Sequence, residues 1–209
     1  EQLTVIGRTI ARMHLVGAIT PFKHRVSIGP ERLGDEPFAF LKSCSLLPPE
    51  VCEPYRTLVD VLLATIHERF AQLPDIEQFS IHGDFHPGNI LWGASNTPHL
   101  LDFDDIGTGP AIQDLWMFIS GDRLYAQDRL GDILDGYYEF REFDTDELLL
   151  IEPLRTLRII HYAAWIARRW EDPAFKQAFP FFASRRFWDE HILALKEQQS
   201  ALQEAPLIY

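Results

Sequence analysis

The sequence is poor in cysteine, in basic residues and in long apolar runs, and each shortage excludes a class of protein. Its two cysteines, Cys44 and Cys52, are too few for a disulfide framework and lack partners at metal-site spacing. No run approaches the roughly 18 to 20 consecutive apolar residues of a membrane span, and no signal-peptide pattern stands at the start. We therefore expect a cytoplasmic protein with no membrane partner.

Acidic residues outnumber basic ones by 31 to 19, which gives a formal net charge of −12. Binding to a phosphate backbone needs clustered Lys and Arg, so this balance argues against a nucleic-acid partner. Apolar residues make up 46% of the chain, which is enough for a globular core. The sequence begins at Glu1 inside a helical pattern, and we expect it to be a piece of a longer protein.

The period of the apolar residues changes twice along the chain, from helical to extended and back. Helices are predicted over residues 3–16, 55–73, 111–120, 126–140, from about 144 onward, and 186–202. Gly17 is interpreted as a helix stop, and the prolines between residues 20 and 54 as breaks between loops and short helical pieces. Short apolar runs near 79–81, 90–92 and 100–101 predict strands. The fold class is therefore α+β, mostly α, with a small β-hairpin.

The hairpin brings two oxygen-bearing side chains together at its open end. If Trp92 faces His99, the residue numbers of each facing pair add up to 191, and Asn89 then faces Asp102. Facing residues of an antiparallel pair lie about 4.5–5.5 Å apart. Amide and carboxylate oxygens suit Mg²⁺, which usually takes one or two protein groups plus the phosphates of a substrate. Asn89 and Asp102 are therefore the candidate metal ligands.

A third polar residue, Asp84, precedes this hairpin in a loop restricted by glycine and proline. A carboxylate held there, beside a metal pair, can accept the proton of an attacking hydroxyl group. His82, Asp84 and Asn89 have the spacing H-x-D-x₄-N, which is that of the protein-kinase catalytic loop. Residues 102–104 read D-F-D where kinases carry the metal-binding D-F-G. The three residue types in this order predict phosphoryl transfer.

These motifs carry a resemblance to a known family. The runs H-G-D-F-H-P-G-N-I-L at 82–91 and L-D-F-D at 101–104 resemble the aminoglycoside phosphotransferase and choline kinase branch of the kinase superfamily. The run G-P-A-I-Q-D-L-W at 109–116 is similar to its next motif. Further runs narrow the resemblance to bacterial stress-response Ser/Thr protein kinases. It implies that residues 1–209 form a kinase-like C-terminal lobe, with catalytic loop 82–89, metal-binding hairpin 89–105, brace motif 109–116 and C-terminal helices 126–209.

The resemblance also implies a role for each motif residue. Asp84 would be the proton acceptor, Asn89 and Asp102 would hold Mg²⁺ and so bind ATP, and Asp114 would brace the catalytic loop. The acceptor would be a Ser or Thr hydroxyl of a protein substrate. No Gly-rich loop and no strand Lys precede Glu1, so we expect the N-terminal lobe to be a missing partner of this chain and the isolated fragment to be inactive.

Three other functions remain open at this stage. The acceptor could be a small alcohol such as an aminoglycoside, choline or homoserine, or the chain could be a non-catalytic kinase-like interaction lobe. A metal hydrolase is the third, with ligands from His82, Asp84, His86, Asp102, Asp104 and Asp105. His82 is more simply a buried imidazole bonded to backbone. His86 either shapes the loop or approaches the γ-phosphate.

Overall fold

Helices make up most of the chain in the computed structural model, which describes residues 1–209, and small antiparallel sheets and loops make up the rest. The helices are α1 Gln2–Ile19, α2 Glu36–Ser43, α3 Pro49–Ala71, α4 Arg123–Tyr137, α5 Ile151–Arg168, α6 Pro173–Ala178 and α7 Arg185–Ala201. The strands are β1 Phe79–Ile81, β2 Ile90–Trp92, β3 Pro98–Leu100 and β4 Gly107–Gly109. This architecture confirms the predicted α+β, mostly α class. None of the helices is long and apolar enough to cross a membrane.

The chain forms two compact units. The first contains residues 1–28, 73–151 and 206–209, and the second contains residues 29–72 and 152–205. All the motifs singled out in the sequence, from 82 to 116, lie in the first unit. The division of the chain into motif segments within a single lobe stays a prediction.

In the first unit, glycines let α1 approach its neighbours at backbone distance. A Cβ at Gly7 would collide with the carbonyl of Ile133 in α4, and one at Gly136 in α4 would collide with the carbonyl of Thr4. A Cβ at Gly17 would likewise meet the carbonyl of Ser80 in β1. The interpretation of Gly17 as a helix stop was therefore wrong. The helix continues to Ile19, and the glycine serves close packing against the strand.

The sheet of β1 and β4 brings the two ends of the motif region together. The strands are antiparallel, with Ser80 opposite Thr108 and Ile81 opposite Gly107. The loop that follows β1 therefore starts beside the turn that leads into β4. The sequence did not predict β4, because its residues Gly-Thr-Gly have little strand propensity. Thr108 also exchanges backbone hydrogen bonds with residues 26–28, which lie along the outer edge of β4.

Two further expectations fail for physical reasons. The helix predicted over 111–120 is two 3₁₀ turns, Ala111–Asp114 and Trp116–Phe118. The helix predicted from 55 begins at Pro49 and runs through Pro54 without a break. A proline inside a helix costs about 3 kcal/mol. Val51 and Tyr55, on either side of Pro54, are both buried, and their burial offsets this cost.

An aromatic cluster lies in the core of the second unit. The rings of Tyr55, Trp188 and His191 contact one another, with centroids 5.6–5.8 Å apart. The Tyr55 hydroxyl, Trp188 Nε1 and His191 Nε2 are buried without a hydrogen-bond partner. Burial lowers the pKa of His191 to about 4, because the charged imidazolium would lose its hydration. His191 is therefore neutral in the folded chain at physiological pH.

We expect His191 to make the fold sensitive to acid. Its pKa is about 4 in the folded chain and about 6.5 when unfolded, so the unfolded chain binds more protons between these values. The contribution of neutral His191 to the free energy of unfolding is fully present above pH 6.5. It falls by up to ~1.4 kcal/mol per pH unit towards pH 4. His191→Phe should retain the ring packing and reduce the loss of melting temperature between pH 7.5 and 4.5. His24→Asn, at an exposed position, is the control, and an unchanged acid sensitivity in His191→Phe would contradict the assignment.

Candidate active site

A buried carboxylate, that of Asp114, organises the start of the candidate catalytic loop. Its Oδ2 accepts a hydrogen bond from the backbone N–H of His82 at 2.8 Å, and its Oδ1 accepts one from Gly83 at 2.8 Å. His14 Nε2 from α1 lies 3.1 Å from Oδ2, and Tyr137 holds the other ring nitrogen of His14 through its hydroxyl at 2.9 Å. The two backbone contacts tie Asp114 to the start of the loop that, by the resemblance, it is expected to brace.

Gly83 is held in a conformation that only glycine adopts readily. Its φ is +87°, and a Cβ would collide with the carbonyl of Asp105. Its own carbonyl accepts a hydrogen bond from Gln113 Nε2 at 2.6 Å. The side chains of Asp114 and Gln113 therefore bind both polar groups of the Gly83 backbone, which sets the path of the loop towards Asp84.

His82 is a buried structural residue, as expected. Its side chain is fully buried, and Nε2 lies 2.9 Å from the carbonyl oxygen of Leu101, to which it donates. The ring also contacts those of Phe85 and Phe103, with centroids 5.2 and 4.7 Å away. The backbone bond and the ring contacts account for the burial of His82, and no group of three or more His, Cys, Asp or Glu is arranged to hold a metal ion. These observations do not favour the metal-hydrolase alternative.

The hairpin register predicted from the sequence was wrong by one residue. Leu91 faces His99 and Trp92 faces Pro98, so facing residue numbers add up to 190 rather than 191. Asn89 consequently faces Leu101, whose N–H donates to the Asn89 carbonyl at 3.0 Å. The connection is one residue shorter than assumed, because Pro98 is the first strand residue, a position where proline is tolerated. Residues 95 and 96 accommodate the tight connection with left-handed backbones.

Asp102 therefore lies one residue beyond the last rung of the hairpin. The preceding residue, Leu101, is held on both sides, by Asn89 through its N–H and by His82 through its carbonyl. Asp102 then turns out of the ladder with a φ of +60° and is exposed. A left-handed backbone is uncommon for a residue other than glycine, although Asp and Asn adopt it more readily than most. The turn leaves the Asp102 carboxylate at the surface.

Asn89 ties the hairpin to the catalytic loop. It is buried, its Nδ2 donates to the carbonyl of Asp84 at 2.9 Å, and its backbone N–H donates to the carbonyl of His86 at 2.9 Å. With Nδ2 committed, Oδ1 is the side-chain atom that can act as a ligand. Asn89 belongs to the last rung, and Asp102 directly follows its partner Leu101. The amide oxygen of the one and the carboxylate of the other are still the ligand types that suit Mg²⁺.

Asp84 and His86 lie together on the loop between β1 and β2. Both side chains are partly buried, and Asp84 Oδ2 lies 3.6 Å from His86 Nε2. The 3₁₀ turn Pro87–Asn89 is capped by His86, whose Nδ1 accepts from the N–H of Gly88 at 3.0 Å. His86 therefore shapes the loop, which is one of the two roles that the sequence left open. Nothing in the spacing indicated which residue would cap this turn.

Glu147 supports the 3₁₀ turn that carries Asp114. This buried carboxylate accepts a hydrogen bond from the backbone N–H of Ile112 at 2.7 Å. Burial raises the pKa of Glu147 to about 8, against the opposing effect of the Ile112 hydrogen bond. Nearby Asp144 raises the pKa slightly further, and Arg141 lowers it. Neither Glu147 nor His14 stood out in the sequence, because each lies far along the chain from the residues it supports.

We expect Glu147→Gln to stabilise the fold in alkaline solution. The pKa of Glu147 is about 8 when folded and near 4.5 when unfolded, so the folded chain binds the extra proton. The contribution of Glu147 to the free energy of unfolding is fully present below pH 4.5. It falls by up to ~1.4 kcal/mol per pH unit as the pH rises to 8. Glutamine retains an acceptor for Ile112 and does not ionise. Its gain in unfolding free energy over wild type, measured in urea, should be larger at pH 9 than at pH 5.

The control is Glu171→Gln, which makes the same chemical change at an exposed position. A Glu147→Gln variant whose stability relative to wild type is the same at both pH values would contradict the raised pKa.

The sequence also matches known proteins over most of its length. A sequence model of the phosphotransferase enzyme family matches residues 1–151. Stress response kinase A of Escherichia coli O157:H7 is 39% identical over 207 residues, which is 99% of this chain and 62% of that protein. The serine/threonine protein kinase RdoA of Salmonella typhimurium is 38% identical, with the same coverage. The chain thus spans 62% of the length of these curated relatives.

A solved structure shows the same fold. Amicoumacin kinase hAmiN, in complex with AMP-PNP, Ca²⁺ and Ami, is 18% identical and matches with a TM-score of 0.66. The match covers 99% of this chain and 61% of that one. It supports the kinase-like fold expected from the motifs.

Proposed function

Because the chain belongs to the phosphotransferase enzyme family, we propose that the protein containing it transfers the γ-phosphoryl group of ATP to a hydroxyl group. The observation that carries this proposal is the bonding around Asn89. One residue fixes the backbone of Asp84, the carbonyl of His86 and the last rung before Asp102. The proposed base and the two proposed ligands therefore belong to a single hydrogen-bonded frame.

Asp84 is the proposed proton acceptor. Its carboxylate would orient the acceptor hydroxyl and take its proton as the oxygen attacks the phosphorus, while the leaving oxygen departs with ADP. Asn89 Oδ1 and the Asp102 carboxylate would hold Mg²⁺, which when bound neutralises charge on the phosphates. Most of the acceleration in phosphoryl transfer comes from positioning and electrostatic stabilisation, and a frame fixed by backbone hydrogen bonds suits that role.

The proposed acceptor is a Ser or Thr hydroxyl of a protein. The name of the Salmonella typhimurium relative supports this choice, and the name of the Escherichia coli relative supports a role in the stress response. The cytoplasmic location stays a prediction from the sequence. A small alcohol is the alternative acceptor. The proposal concerns the complete protein. For residues 1–209 alone we propose that turnover is absent, because the phosphate-gripping loop and lysine of kinases are not among them.

Asp84→Asn should lower turnover in the complete protein by about 10²–10⁴-fold and leave nucleotide binding intact. Asparagine has nearly the same shape but cannot accept the proton, and general-base catalysis is typically worth ~10²–10⁴-fold. Turnover with labelled ATP and nucleotide affinity by calorimetry test both halves. The control is Asp128→Asn, at an exposed position on α4. Turnover within about tenfold of wild type in Asp84→Asn would remove Asp84 from the role of base.

Asp102→Asn should weaken nucleotide binding in the presence of Mg²⁺ and not in its absence. Asparagine tolerates the left-handed backbone at this position, so the variant removes charge with little strain. We expect a loss of at least about tenfold in Mg²⁺-dependent affinity, since even outer-shell partners of metal ligands are worth ~10–100-fold. The matched control is Asp104→Asn, two residues further along the same exposed turn. Equal losses with and without Mg²⁺ would contradict ligation by Asp102.

A further inference from the structure

The hydrogen bond between Gly88 and His86 fixes which ring nitrogen carries the proton. A backbone N–H can only donate, so His86 Nδ1, which accepts from Gly88 at 3.0 Å, has no proton. In the neutral ring the proton is then on Nε2. The absence of a side chain at Gly88 is part of this arrangement. A Cβ there would lie 2.7 Å from Cε1 and 3.0 Å from Nδ1 of His86, and would push the ring off the amide.

The protonated nitrogen of this ring faces the proposed base. His86 Nε2 lies 3.6 Å from Asp84 Oδ2, which is longer than a hydrogen bond. A charge-assisted N–H···O bond has a length of about 2.7–2.9 Å, so a shift of roughly 0.8 Å would form it. Hydrogen bonds of catalytic groups are often long in structures without substrate and tighten when the substrate binds.

The backbone already holds the two residues in register for this contact. Asn89 donates from Nδ2 to the carbonyl of Asp84 and from its backbone N–H to the carbonyl of His86, both at 2.9 Å. Only rotation of the two side chains is then needed to bring the Asp84 carboxylate and His86 Nε2 within hydrogen-bond distance. The cap on Gly88 restricts the rotation of the imidazole, so most of the adjustment falls to Asp84.

We infer that His86, as its Nε2–H tautomer, is a positioning residue that orients the carboxylate of Asp84. This inference rests on the proposed function. Nε2–H donates to Oδ2 and so orients the carboxylate that receives the proton of the acceptor hydroxyl. His86 keeps its own proton throughout and forms no bond to phosphorus. It therefore acts on the rate through the geometry of Asp84 and not through contact with the nucleotide.

Two substitutions separate the two nitrogens of the ring. His86→Asn places an amide oxygen where Nδ1 lies and can keep the cap on Gly88, but has nothing at the position of Nε2. His86→Gln reaches the position of Nε2 with an N–H donor and loses the cap. In the complete protein, His86→Asn should lower kcat by about 10–100-fold, because a misplacement of about 1 Å can cost ~10²-fold. Its KM for ATP and its melting temperature should stay near those of wild type.

His86→Gln should have a higher kcat than His86→Asn and a lower melting temperature. The inference is overturned if His86→Asn keeps the kcat of wild type, or if it raises the KM for ATP at unchanged kcat, since the latter would put Nε2 on the phosphates. In an Asp84→Asn background, His86→Asn should cost nothing further, because the two residues act as a unit. A full additional loss in that background would also overturn it.

A spectroscopic measurement distinguishes failure of this inference from failure of the proposed function. Selective ¹⁵N-histidine labelling of the complete protein, with His86 identified by the signals that His86→Asn removes, reports the tautomer directly. A protonated Nε2 and an unprotonated Nδ1 are expected, with an Nε2–H signal that shifts in Asp84→Asn. A proton on Nδ1 overturns the inference whatever the activity. If Asp84→Asn retains turnover while this tautomer and shift are observed, Asp84 is not the base, and the contact between His86 and Asp84 still stands.

Discussion

The buried carboxylate of Asp114 is the interaction on which the rest of the candidate site depends. A charged group without solvent access is costly unless donors surround it, and Asp114 receives two backbone N–H groups and one imidazole. These bonds fix the backbone at His82. The His82 ring then holds the carbonyl of Leu101, and Leu101 in turn holds the carbonyl of Asn89. The chain of bonds ends at the backbone of Asp84. Each step uses a strong, directional contact, so a displacement at Asp114 would be transmitted to the proposed base.

Two buried carboxylates of this unit have different surroundings for a physical reason. Asp114 has three donors. Glu147 has one backbone N–H donor, and its pKa rises to about 8 because desolvation dominates. Its protonated form can remain buried at little cost, so Glu147 can hold the turn of Ile112 without a full set of donors. With a single donor, desolvation makes the folded chain favour the neutral form of Glu147.

The sequence allowed the local features of the site to be predicted and missed those set by distant contacts. The spacing of His82, Asp84 and Asn89 pointed to a candidate catalytic loop because all three lie on one short segment, and the catalytic role of that loop stays a prediction. The hairpin register was wrong by one residue, since the left-handed backbones of Ser95 and Asn96 set the length of its connection. Bonds such as that between His14 and Asp114, one hundred residues apart, leave no periodic pattern in the sequence. Most helices were predicted because apolar periodicity records burial. The exceptions were decided by close backbone packing, as at Gly17.

Hydrogen-bond donors of the site lie inside it and acidic side chains lie at its surface, and this distribution bears on the proposed need for a divalent cation. Donor groups are used inside the frame: Asn89 Nδ2 on a carbonyl, the N–H of Gly83 on Asp114 and that of Gly88 on His86. The turn at residues 102–105 exposes acidic side chains, and the net charge of the chain is −12. Such a surface repels the triphosphate of ATP, because both are negative. A metal ion that binds to oxygen atoms on both sides would reverse this repulsion. The fixed donors and exposed acceptors are therefore physically consistent with a nucleotide that binds to this unit as its metal complex.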